Sequence, residues 1–292
     1  MDLLKLKTVN ALSDTITICE YEGMQVIKVV HPAAEAGITL HGGHLIWFRP
    51  AGEKDVIWLS EKAEFTPSKA LRGGIPVCWP WFGRVATPAH GFARTSMWSL
   101  IEHRENESGV IVELGLTDSD ETLAIWPNRF DLKITFEISS ELKVKLTATN
   151  TDDHNWSMSG ALHSYFTVGD VREISIEGMG SDYIGGLKDA KTFTGGNSLV
   201  FTEALDRVYT APDDTVTIND ARNTRNLLVT NRGHNSAVIW NPWAEGAAGM
   251  GDMDDDGYLT MVCVESTQHG DGITLQPGES HSLETQISVK AQ

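Results

Sequence analysis

An arginine, paired glycines and clustered aromatic rings run together in Leu71-Arg72-Gly73-Gly74-Ile75-Pro76-Val77-Cys78-Trp79-Pro80-Trp81-Phe82-Gly83, and a second arginine closes His90-Gly91-Phe92-Ala93-Arg94 a few residues on. Gly73 and Gly74 open backbone angles closed to other residues and let the main chain approach a ligand, while Pro76 and Pro80 stiffen the aromatic segment after them. Arg72 and Arg94 are then expected to flank an aromatic-walled cleft. Planar guanidinium groups suit a phosphate or carboxylate, and flat apolar rings suit the C–H face of a sugar, so the stretch points to a small, polar, anionic ligand. The competing reading is a buried aromatic turn with two structural arginines.

Two ionisable residues later in the chain stand where a strand is normally apolar. His163 lies in Ala161-Leu162-His163-Ser164-Tyr165-Phe166-Thr167-Val168, where alternation puts it on the face shared by Ala161 and Tyr165. Glu265 ends the run Leu259-Thr260-Met261-Val262-Cys263-Val264-Glu265, on the face of Met261 and Cys263. A carboxylate leaving water at a strand end needs a partner or a task, since burying an unpaired charge is costly. The plainer alternatives are a core histidine bonded to a backbone carbonyl and a solvated strand-end carboxylate. Two metal-like patterns are set aside. His41-Gly42-Gly43-His44, with His31 upstream, has short histidine spacing but no accompanying carboxylate or cysteine pattern. Asp252-Met253-Asp254-Asp255-Asp256-Gly257 copies the first half of a calcium loop, but its twelfth position is Cys263 and a strand follows in place of a helix, so it reads as a solvated acidic loop.

Strands must position these residues, because period-two alternation dominates. Phe130, Leu132, Ile134, Phe136 and Ile138 alternate with Asp131, Lys133, Thr135 and Glu137; Leu142, Val144, Leu146 and Ala148 repeat the pattern after Ser139-Ser140-Glu141. That is an antiparallel hairpin with one wet face. Further strand-like runs cover Thr15–Cys19, Met24–Val30, Val110–Leu116, Ile174–Glu177, Asn226–Val229, Ala237–Trp240, Leu259–Glu265 and Ser282–Val289. The fold class is all-β, a large antiparallel sandwich with few short helices. One helix is expected over Ser119–Trp126, with Asp118 and Glu121 at capping-box spacing and Pro127 closing it.

Composition excludes several function classes. The 292 residues carry a formal net charge of −17, which argues against nucleic acid or an anionic membrane as partner. No linker, charge block or repeat divides the chain, so residues 1–292 read as one domain. No apolar segment is long enough to span a bilayer, and Met1-Asp2-Leu3-Leu4-Lys5-Leu6-Lys7 lacks the apolar core of a secretory signal, so we expect a cytoplasmic protein. Cys19, Cys78 and Cys263 offer neither a disulfide framework nor a zinc-site spacing and read as small buried apolar residues.

Taken together, these segments resemble the glucose-6-phosphate 1-epimerases, hexose-phosphate mutarotases of the aldose 1-epimerase superfamily built on a galactose-mutarotase-like β-sandwich. The resemblance runs through Leu71–Pro76, Pro88–Arg94, Ala161–Phe166, Asp206–Tyr209, Gly251–Met253 and Val262–Glu265, in matching order and separation. It implies that His163 is the general acid and Glu265 the general base, that Arg72 and Arg94 hold the phosphate, that Asp206 binds a sugar hydroxyl, and that His90 sits near the reacting end. It further implies a hexose 6-phosphate substrate; the residue types fit the chemistry without a cofactor, and a monomer is expected. The chain departs from the family pattern at Ala89, where some relatives carry a polar side chain, and in a short loop between Gly83 and His90. Anomer interconversion needs one base at the C1 hydroxyl and one acid at the ring oxygen, for which a carboxylate and a protonated imidazole with pKa near the operating pH suffice. The rival functions are a phosphate-free aldose 1-epimerase, a glycoside hydrolase using Asp206 as a second carboxylate, and a non-catalytic sugar-phosphate sensor.

Overall fold

Alternation in the sequence becomes alternation in burial. In the computed structural model, which describes residues 3–186 and 190–292, strands Phe130–Ile138 and Leu142–Asn150 pair antiparallel, with Leu142 opposite Ile138 and Leu146 opposite Ile134. Their apolar residues are buried, while Lys133, Glu137 and Lys145 on the other face are exposed. This hairpin lies inside a nine-stranded sheet, flanked by Gly109–Thr117 on one side and by Ser280–Ala291 on the other. Among the described residues the remaining strands form a five-stranded meander from Thr8–Ala11 to His44–Pro50 and an eight-stranded sheet. Side chains from all three sheets, including Ile27, Phe136 and Val264, share one apolar cluster.

The eight-stranded sheet carries the residues of interest. Strands Leu205–Tyr209, Ser236–Asn241, Met261–Leu275 and Trp156–Leu162 lie side by side in it, and the short strand Tyr165–Thr167 also pairs with Met261–Leu275. The run expected to stop at Glu265 does not. Gly257–Thr260 is a 3-10 turn, and the strand that starts at Met261 continues to Leu275. Ser266 and Thr267 are as buried as the apolar residues before them and keep pairing with Ala237 and Ser236, so the hydrogen-bond ladder outlasts the hydrophobic pattern.

The expected helix is Asp120–Ile125, with a shifted cap. Ser119 Oγ accepts from the Thr122 amide and Thr122 Oγ1 accepts from the Ser119 amide, while Asp118 instead accepts from the Phe130 amide. A second short helix, Trp243–Ala248, has no apolar periodicity to announce it; Asn241 Oδ1 accepts the Trp243 amide at its start. No helix among the described residues is long and apolar enough to cross a membrane.

Candidate active site

Two neighbouring rows on one face of the eight-stranded sheet assemble the site. Asp206 pairs with Trp240, Trp240 with Cys263 and Cys263 with Tyr165, which makes a row of four across four strands. Directly paired residues share a face, and so do residues two apart along a strand. Glu265, two residues beyond Cys263, therefore projects beside that row, and its backbone partner is Val238. His163 occupies a break between strands Trp156–Leu162 and Tyr165–Thr167 instead of the continuous strand the alternation suggested. Its amide donates to the Pro76 carbonyl at 3.1 Å, and the Ser164 carbonyl accepts from Val264 at 3.1 Å. The break turns the imidazole over Tyr165, ring on ring at 4.9 Å and 11°, and brings Nε2 to 3.4 Å from Glu265 Oε1.

Glu265 is not a solvated strand-end carboxylate, and His163 Nε2 faces it. Glu265 is 1% exposed in mid-strand and His163 is 12% exposed, so both ionisable groups are largely out of water. Burial pushes the Glu265 carboxyl well above the usual carboxylate range, Asp206 adds to the rise, and Arg94 opposes it. Burial also holds His163 well below the ordinary imidazole value, reinforced by His90, Arg94 and Arg72. An imidazole titrating by itself near neutrality, as the sequence suggested, is thus replaced by a coupled pair. Desolvation favours the uncharged forms and proximity favours the ion pair, but both arrangements contain one proton shared by two residues.

The glycine turn positions Arg72. Gly73 and Gly74 adopt φ of 113° and 69°, and a Cβ at Gly74 would lie 2.4 Å from His44 Nε2 and from the Leu45 carbonyl. His44 Nε2 in turn bonds the Gly73 carbonyl at 2.8 Å. With its backbone clamped, Arg72 donates Nε to Asp252 at 3.2 Å, places Nη2 3.2 Å from the second Asp252 oxygen and donates Nη1 to the Tyr165 hydroxyl at 3.2 Å. Arg94, on the 3-10 turn Ala93–Thr95, donates to the Ala89 carbonyl at 2.9 Å. Arg72, Arg94, Lys69, Tyr165 and Asp252 line a pocket of about 300 Å³. The aromatic-walled cleft is realised in part: Tyr165 lines this pocket, whereas Trp79 is fully buried in the core.

His90 and Asp206 complete the surroundings. His90 has a φ of 63°, and its Nδ1 accepts from the Gly83 amide at 3.2 Å. Burial, with Arg94, Arg84 and Arg72 nearby, lowers its pKa to about 4. At neutral pH the ring is therefore uncharged with its proton on Nε2, a donor, and its centroid is 6.0 Å from that of His163. The Asp206 carboxyl is raised by burial, and a Cβ at Gly186 would come within 2.5 Å of its Oδ2. A larger groove of about 780 Å³, lined by Trp47, Trp58, Asp254 and Thr260 among others, includes none of these six residues.

Comparison with known proteins gives the same direction. Residues 25–288 match the family described as Aldose 1-epimerase. The chain belongs to the aldose 1-epimerase family. Within that family it is 39% identical, over 90% of each chain, to the Escherichia coli K12 protein named "Putative glucose-6-phosphate 1-epimerase", and 37% identical, again over 90% of each, to the Salmonella typhimurium protein of the same name. The Salmonella typhimurium crystal structure described as a "putative mutarotase (YeaD)" superposes with a TM-score of 0.95 at 34% identity, covering 99% of this chain and 98% of that one. The galactose 1-epimerase of Lactobacillus acidophilus NCFM shares the fold, with a TM-score of 0.74 at 15% identity over 98% of this chain and 99% of that one.

The epimerase-family scaffold also recruits residues that alternation and spacing did not single out. Tyr165 joins the two halves of the site, since its ring lies on His163 and its hydroxyl accepts from Arg72. A signal existed, because Tyr165 stands two residues from His163 in the sequence. Asp252, read as part of a solvated loop, is Arg72's ion-pair partner, and Asp254 pairs with Lys62 at 3.0 Å. Only the fold brings Asp252 to Arg72. The histidines of the apparent metal clip are bonded to backbone carbonyls: His31 to Asn106, His41 to Lys69 and His44 to Gly73.

Proposed function

We propose that this protein interconverts the α and β anomers of hexose 6-phosphates, with glucose 6-phosphate the preferred substrate. The observation that carries the reading is the buried His163–Glu265 pair at 3.4 Å, joined through Tyr165 to an arginine-lined pocket. In this mechanism the phosphate lies between Arg72 and Arg94, and that binding energy positions the reacting carbon. Asp206 accepts from a sugar hydroxyl, and neutral His90 donates from Nε2 near the reacting end. The proton shared by the pair moves onto His163, leaving Glu265 as carboxylate. Glu265 takes the proton of the C1 hydroxyl while His163 protonates the ring oxygen, and the C1–ring oxygen bond breaks to give the open-chain aldehyde. After rotation about C1–C2 the ring oxygen attacks the other carbonyl face with the roles reversed. Nothing is oxidised, no covalent enzyme intermediate forms, and no cofactor is required.

The names of the relatives support the phosphorylated substrate, as does the placement of Arg72 and Arg94. We also treat residues 1–292 as one mutarotase-like domain, a reading supported by the apolar cluster that draws on all three sheets. The test is two-dimensional exchange NMR on equilibrated glucose 6-phosphate, which reads anomer exchange without net reaction. Protein-dependent exchange cross-peaks are expected. Binding of the sugar phosphate with no accelerated exchange would make the protein a sensor instead.

A further inference from the structure

We propose that His163, Cys263 and Glu265 form a binding site for one thiophilic divalent cation, Zn²⁺ or Cd²⁺, whose occupancy shuts off epimerisation. One ligand atom from each residue lies within 4.8 Å of the other two. The Nε2–Oε1 separation of 3.4 Å in this trio matches the spacing of about 3.4 Å that Zn–N and Zn–O bonds of about 2.0–2.2 Å impose at tetrahedral angles. Cys263 and Glu265 are two residues apart on one strand and so share a face, which fixes the thiol beside the carboxylate. Glu265 Oε2, buried and with no hydrogen-bond partner among the described residues, supplies the donor capacity a metal needs. The sulfur selects the cation: thiolate and imidazole favour Zn²⁺ and Cd²⁺, whereas Mg²⁺ and Ca²⁺ require oxygen shells.

Charge and proton balance agree with this assignment. Binding replaces the thiol proton and the pair's shared proton by the metal, releases both to solvent, and leaves one thiolate and one carboxylate against a 2+ ion. Three protein ligands fill three tetrahedral positions and leave the fourth for water. By contrast, the cluster Asp152, Asp153 and His154 is solvated, with Asp153 97% exposed, and offers no comparable enclosure. Inhibition rests on the catalytic roles proposed above, because the cation would occupy the lone pairs that move protons. Binding does not rest on them.

Cadmium titration of the full-length protein tests the site directly through the ultraviolet thiolate-to-cadmium charge-transfer band. The band should saturate at one equivalent, recede when glucose 6-phosphate is added, and vanish in Cys263→Ala. In the exchange assay Zn²⁺ should inhibit the wild type, while Cys263→Ala, measured against its own metal-free rate, needs about tenfold more Zn²⁺ or higher for half-inhibition. No saturating band, a band that persists in Cys263→Ala, or equal inhibition of both proteins would overturn the proposal. If Cys263→Ala does not fold, the wild-type band and its competition with glucose 6-phosphate decide. A wild type that shows no exchange in the absence of metal would sink the functional reading and leave the cadmium result to judge the site.

Discussion

In the proposed mechanism Glu265 and His163, 3.4 Å apart, act as a unit, and their substitutions should show it. Glu265→Gln keeps the shape and removes the base, so exchange should fall by about a hundredfold or more while glucose 6-phosphate still binds. His163→Asn should behave alike; exchange within tenfold of wild type for either variant would remove that residue from the mechanism. The shared proton also sets the pH profile. Activity declines when the pair gains a second proton, which burial defers to a pH well below the ordinary imidazole value of 6.5, and when it loses its only proton, which burial defers to well above the ordinary carboxylate value of 4.5. The acid limb of kcat is therefore expected below 6.5 and the alkaline limb above 4.5. An acid limb centred at 6.5 would mean that His163 titrates as a solvated group. Arg72→Ala and Arg94→Ala separate the sugar-phosphate reading from the plain-sugar one: each should weaken glucose 6-phosphate far more than glucose, because the charge-assisted bond exists only for the ester. Equal losses on both sugars would favour a phosphate-free aldose epimerase.

The turn that holds Arg72 is built from elements whose tolerances can be measured. Gly74→Ala places a methyl group 2.4 Å from His44 Nε2 at a φ of 69°, so it should lower unfolding stability by more than about 1 kcal/mol and reduce exchange as Arg72 shifts. Unchanged urea unfolding would show that the turn relaxes freely. His44, fully buried under this turn, has its pKa lowered to about 3 by burial, against the opposing bond to the Gly73 carbonyl. The unfolded imidazole takes its proton near 6.5 and the folded one only near 3, so stability is lost as pH falls through that interval, by about 1.4 kcal/mol per unit of separation at most. His44→Gln can keep a donor to Gly73 without the titration. It should be less stable at neutral pH yet lose stability less steeply between about 6.5 and 4; parallel slopes would show that His44 accepts its proton within the fold. Much of this architecture was legible in the sequence. The hairpin Phe130–Asn150 and strand Ile174–Glu177 follow from alternation with one buried face. Met261–Leu275 was cut short because Ser266 and Thr267 are buried polar residues that hydrophobicity cannot flag. Arg72, His90, Arg94, His163, Asp206 and Glu265 were proposed from residue type, local pattern and family resemblance. Asp252 was not, because its partner is 180 residues away and only the closed sheets bring them together.

Across its full surface the protein carries a net charge of −17, yet the proposed substrate is a dianion. On the proposed reading attraction is confined to the pocket lined by Arg72 and Arg94, where Asp252 already offsets Arg72 at 3.2 Å and Lys69 is paired with Glu64. The long-range field should therefore repel the sugar phosphate, while the close, partly desolvated arginine contacts capture it only on arrival. Salt acts unequally on the two. Screening beyond about 8 Å at physiological ionic strength mutes the distant carboxylates more than contacts made inside the cleft. We expect kcat/KM for glucose 6-phosphate to hold steady or rise as sodium chloride increases from very low levels, before chloride begins to compete at the arginines, and kcat/KM for neutral glucose to stay flat. A steep monotonic fall for the phosphate ester alone would show that the positive field of Arg72 and Arg94 reaches well beyond the cleft despite Asp252, and that encounter is steered by attraction instead of limited by repulsion.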